Sequence, residues 1–110
     1  MSRTEILPGT LYLMILKTVE KNPMHGYGIA QRIKQLSEEV LEVEEGSLYP
    51  ALQRMLIKGW IAAEWRPSEN NRRARYYRLT PKGRRQLQQE IQQWAQLVAA
   101  IGLVMRPVED

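Results

Sequence analysis

The residue types that most often carry chemistry are few in this sequence and poorly placed for it. Its single histidine, His25, has no clustered carboxylates beside it, and the chain has no cysteine. A zinc site needs several converging ligands, and a general base needs a group to deprotonate within hydrogen-bond reach, so His25 reads as a turn residue. Gly26-Tyr27-Gly28 lacks both the spacing and the preceding strand of a phosphate-cradling loop and reads as a tight turn. Glu38, Glu39, Glu42, Glu44 and Glu45 gather carboxylates without any other ligand type, the pattern of a solvated acidic connection. These observations predict no metal, no cofactor and no catalytic residue, and they set an enzyme aside.

What the sequence does concentrate is positive charge. Between positions 66 and 85 stand Arg66, Arg72, Arg73, Arg75, Arg78, Lys82, Arg84 and Arg85 against Glu69 alone, a net of +7 in a chain whose total is +4. The remainder is therefore net negative. A basic stretch on an otherwise acidic chain marks a directed surface for a polyanion, with a solvated arginine-rich loop as the plainer alternative.

The elements that must position this charge are legible from periodicity. Leu11, Met14, Ile15 and Val19 share a helical face closed by Asn22-Pro23, and Ile29, Ile33, Leu36 and Val40 predict a second helix. Leu48, Leu52, Met55 and Leu56 predict a third, begun near Ser47 as N-cap, with Pro50 in its first turn and Gly59 as its stop. The period then becomes two: Ile61, Ala63 and Trp65 oppose Ala62, Glu64 and Arg66, and Tyr77 and Leu79 oppose Tyr76 and Arg78. Between the two strands, Pro67 to Asn71 is turn chemistry, which makes a hairpin with a basic tip. Thr80-Pro81 starts a last helix, on which Leu87, Ile91, Trp94, Val98, Ile101 and Met105 fall at spacings of 4, 3, 4, 3 and 4, the seam of a helix that packs along another.

The fold class expected is mainly α with a small β-hairpin: a winged helix-turn-helix plus a long C-terminal dimerisation helix. Residues 1–80 would form the DNA-binding part and 81–110 the dimerisation helix and tail, in one compact unit. In such a fold the second helix of the pair enters the major groove and the first braces it. The expected contacts to double-stranded DNA are Ser47, Tyr49, Gln53, Arg54 and Lys58 on the third helix, with Gln53 and Arg54 reading bases, and Arg72, Arg73 and Arg75 from the hairpin on phosphates or in the minor groove. Tyr49 reads either as a phosphate contact or as a ring packed at the entrance of the second helix with an exposed tip.

Three strings resemble the PadR family of bacterial transcription regulators: His25-Gly26-Tyr27-Gly28-Ile29, Gly46-Ser47-Leu48-Tyr49-Pro50-Ala51-Leu52, and Arg75-Tyr76-Tyr77-Arg78-Leu79-Thr80-Pro81-Lys82-Gly83. They occur in the family's order and span most of the chain, and a final helix that is short by the family's standard suits a compact branch. Trp60 departs from the smaller aliphatic residue expected at its position. The resemblance implies a homodimeric repressor of a roughly palindromic operator, in some members released by small aromatic compounds. Trp94, on the seam, would then be either core or a wall for a planar ligand.

Composition agrees with one soluble unit. At 110 residues, 44% hydrophobic and 25% charged, the chain suffices for a single core. No apolar run approaches the roughly 20 residues of a bilayer crossing. Without cysteine or a signal-peptide pattern the expected location is the cytoplasm, with no membrane partner. A winged helix that binds protein is the competing reading, and it would not require so basic a hairpin.

Overall fold

The computed structural model describes residues 8–108; the outer ends of the two expected spans, residues 1–7 and 109–110, lie outside them. Within those residues the order is α1 (Pro8–Thr18), β1 (Met24–His25), α2 (Gly26–Leu36), α3 (Glu45–Ile57), β2 (Ile61–Pro67), β3 (Arg73–Leu79) and α4 (Pro81–Val104). This is the winged helix expected from periodicity, with a long final helix. Leu11, Ile15, Leu16 and Val19 of α1 and its end meet Ile29 and Ile33 of α2, Leu48, Leu52 and Met55 of α3, and Ile61, Tyr77 and Leu79 of the sheet in one core. No helix among the described residues is long and apolar enough to cross a membrane.

Three features of the element boundaries and pairing differ from the sequence expectation. The hairpin carries a third strand: β1 pairs antiparallel with β3, Met24 opposite Tyr77 and His25 opposite Tyr76, giving the order β1-β3-β2. Two residues hold no period, so nothing in the sequence announced it. The second helix stops at Leu36 instead of running to Val40. Glu38 (φ 53°) and Glu39 (φ 68°) adopt the left-handed conformation, which no helix tolerates, and Leu36 and Val40 are consequently exposed.

α3 also begins earlier than expected. The N-cap is Glu44, without a side-chain cap bond, and both Ser47 N and Leu48 N donate to Glu44 O at 3.0 and 2.9 Å. Carboxylates in and before a first turn are favoured by the helix dipole, and Glu44 and Glu45 supply them. Ser47 therefore lies inside the helix. Pro50 falls in its second turn and brings no N–H to the Gly46 carbonyl one turn back.

Thr80 and Pro81 begin α4 as expected. Thr80 Oγ1 accepts from Gly83 N at 2.9 Å and donates towards Gly59 O at 2.6 Å, with Trp60 O at 3.0 Å, while Thr80 N donates to Trp60 O at 3.1 Å. The start of α4 is thereby tied to the turn after α3. Gly83 lies so close to this turn that a Cβ would overlap the Trp60 carbonyl. Leu87 is wholly enclosed in the chain's own core and Ile91 packs against it. This corrects the expected seam: Leu87 belongs inside the chain and not to an exposed stripe. Beyond Ile91 the helix leaves the core, and Trp94, Val98, Ile101 and Met105 are 48–73% exposed.

Candidate nucleic-acid interface

Burial of Leu48, Ala51, Leu52 and Met55 fixes how α3 is turned. At 3.6 residues per turn, the line opposite these four runs through Gly46, Pro50, Gln53 and Ile57, all exposed. Tyr49 lies to one side of that line, and Ser47, Arg54 and Lys58 lie to the other. All five residues expected from this helix are exposed, but only Gln53 stands on the outermost line.

The flank bearing Arg54 and Lys58 is structured by aromatic rings. Arg54 Nε donates to Tyr12 Oη of α1 at 2.5 Å, and its guanidinium carbon stands 5.7 Å from the Tyr12 ring centre. Lys58 Nζ lies 5.1 Å from the centre of the Trp60 ring, which meets Tyr12 edge-on at 5.7 Å. Trp60, unexpected in sequence, thus serves as a platform for one of the cations. The structure separates Arg54 from Gln53: one leans back to α1, the other faces outward.

On the opposite flank Tyr49 covers the start of α2. Its ring lies against Gly26, where a Cβ would come within 2.9 Å of the hydroxyl oxygen, so the glycine is required for this approach. Tyr49 is 46% exposed overall, but its hydroxyl end is the part that lies against Gly26, which is the packed ring of the second reading with the exposure elsewhere than at the tip. His25 caps α2 by accepting from Gly28 N through Nδ1 at 2.9 Å, and its ring meets Tyr76 edge-on at 5.3 Å. Its role is that of a capping turn residue, as the sequence implied.

The hairpin presents one continuous face towards α2 and α3. Its register places Ile61 opposite Leu79, Ala63 opposite Tyr77, Trp65 opposite Arg75 and Pro67 opposite Arg73. Ile61 and Leu79 are buried; farther out the strands outrun the core, and Trp65 is 59% exposed. Burial pushes the Tyr77 phenol above its ordinary range, the nearby Arg75 opposing that shift. Arg75 and Arg73 stand over the Tyr77 and Trp65 rings, each 5.9 Å from the ring centre. Asn71, at φ 61°, and the bond from Ser68 N to Arg72 O at 2.6 Å close the tip, where Arg72 and Arg73 are exposed.

Between this face and the helices runs an open groove of about 730 Å³ lined by His25, Tyr27, Tyr49, Trp65 and Arg75 among others. It brings Tyr49 and Arg75 of the expected set together; Arg54 and Lys58 lie across α3 from it. Tyr12, Trp65, Pro50 and Ile57 are candidate interface residues outside the set expected from sequence. Ile57 carried a signal, since it falls off the apolar stripe of its own helix; Tyr12 carried none, being 42 positions from Arg54. No group of three or more His, Cys, Asp or Glu side chains that could hold a metal occurs among the described residues.

This arrangement has known counterparts. Residues 15–89 match the family model of the transcriptional regulator PadR-like family. A transcriptional regulator of Mycobacterium tuberculosis is 36% identical over 78 residues, covering 71% of this chain and 69% of that protein. A transcriptional regulator from Clostridium thermocellum superposes with a TM-score of 0.82 at 26% identity, covering 89% of this chain and 95% of the other. A PadR family transcription regulator from Clostridium difficile R20291 gives 0.75 at 28% identity over 87% and 98%. With a family model covering most of its length and a winged helix of the same architecture, the chain belongs to the PadR-like family of transcriptional regulators.

Proposed function

We propose that this regulator is a non-enzymatic homodimer that binds a palindromic operator in double-stranded DNA and represses transcription from it. The observation that carries the reading is the outward line of α3, with Gln53 on it and cations on the α1 flank and on the hairpin. That is a geometry for one helix in a major groove with phosphates on either side. Gln53 reads a base edge; Ser47, Arg54 and Lys58 hold one backbone; Tyr49, Arg72, Arg73 and Arg75 hold the other. Residues 1–80 bind DNA and residues 81–110 pair two chains through Trp94, Val98, Ile101 and Met105, with Ile91 at the margin. The protein works in the cytoplasm.

The half-exposed indole of Trp94 supports a small aromatic effector that stacks at the pair axis and shifts the spacing of the two reading helices. The concentrated hairpin charge weighs against a protein-binding module. Selection of duplexes by the protein from a random pool tests the whole reading. It should recover one site with two-fold symmetry, bound less tightly as salt rises, with a log-log slope of about 0.9 per neutralised phosphate. Recovery of no preferred sequence, or a flat salt response, overturns it.

A further inference from the structure

The outermost ridge of α3 is apolar around a single amide. Gly46, Pro50, Gln53 and Ile57 follow one another at spacings of 4, 3 and 4, and Ile57 is 81% exposed while Leu48, Leu52 and Met55 of the same helix are buried. Its side chain points directly away from the core, so packing within the chain does not account for an isoleucine there. At the other end of the ridge a Cβ on Gly46 would meet no atom within 4 Å, so the backbone itself is open to close approach. The cations beside the ridge are held to one flank, Arg54 over Tyr12 and Lys58 over Trp60.

A base-reading ridge of this composition suits one kind of surface. Arginine or lysine would select guanine and a carboxylate would accept from cytosine, and the ridge has neither; an amide pairs with the N6 and N7 of adenine, and apolar tips fit the 5-methyl group of thymine. We infer that Pro50 and Ile57 contact thymine methyl groups on either side of the adenine met by Gln53. The inference rests on the DNA-binding reading proposed above and assigns its base preference. Ile57 lies seven positions after Pro50, about 10.5 Å along the helix, or about three steps of a strand rising 3.4 Å per nucleotide. Each half-site therefore holds an adenine flanked by two thymines within roughly that span.

Deoxyuridine differs from thymidine by the methyl group alone, so replacing each thymine of the selected duplex in turn tests the contact without altering the protein. Two positions in each half-site should lose about four-fold in affinity, the worth of one buried carbon, and the rest should be unchanged. Repeating the series with Ile57→Ala should abolish the sensitivity at one of these positions, and Pro50→Ala at the other. Both residues are exposed and alanine favours the helix, so the variants retain the fold. Indifference to every replacement, half-sites without thymine, or losses that persist in both variants overturn the inference while DNA binding stands. A protein that selects no sequence overturns the inference and the proposed function together.

Discussion

Single residues in this fold act through what lies against them. Gly83→Ala places a methyl group inside the Trp60 carbonyl, backbone that cannot swing aside. Overpacking of that kind costs roughly 1–3 kcal/mol or more, which thermal unfolding should show as a lowered midpoint. Gly46→Ala faces open space in a helix, where alanine is favoured by up to about 1 kcal/mol, and should leave the midpoint unchanged or raised. Gln53 and Arg54 differ in the same way. Gln53→Ala should shrink the preference for operator over random duplex by about 1–3 kcal/mol. Arg54→Ala, removing a cation held on the α1 flank, should weaken both duplexes alike in a competition assay. The sequence made these two neighbours equivalent readers, because the bond that separates them reaches a tyrosine 42 positions away.

At the scale of elements, helices and strands were legible wherever a repeat was long enough to have a phase. The α4 start was readable because Thr80-Pro81 is a local signal whose cap bond forms within three residues. β1 was not, since two residues paired to β3 have no period of their own. The sequence pattern carries α2 too far because Leu36 and Val40 continue its stripe, while Glu38 and Glu39 turn left-handed. For α3 a good cap at Ser47 was outweighed by acids placed earlier. The hairpin was legible in pattern and charge, but the exposure of Trp65 depends on how far the strands outrun the core. That overhang sets an expectation for the wing. Replacing Arg72 and Arg73 with alanine should weaken specific and random duplexes together and flatten the log-log salt slope by as much as about 1.8. An unchanged slope would remove the wing from the phosphate contacts.

The whole molecule is elongated for its size, 64 × 34 × 22 Å with a radius of gyration of 16.0 Å, against about 13 Å for a compact domain of 100 residues. The excess is α4, whose residues 92–104 are exposed all round. An isolated helix of that length is marginal in water, and this one shows Trp94, Leu97, Val98 and Ile101 on one side. Pairing with a second copy would bury that side and set two reading helices about 34–36 Å apart, one turn of DNA. The substitution that tests this must lie beyond the chain's own core. Leu87→Asp would be uninformative, because Leu87 is fully enclosed in the chain's own core and an unpaired carboxylate there should unfold the monomer itself. Ile101 is 50% exposed, so Ile101→Asp leaves the fold intact, yet in a pair it would bury two unmatched carboxylates. The variant should sediment as a folded monomer, and its affinity for a full operator should fall far more than its affinity for one half-site. A wild-type protein that sediments as a folded monomer at the concentrations where it binds, or an Ile101→Asp variant still dimeric with unchanged operator affinity, would remove α4 from the pairing surface.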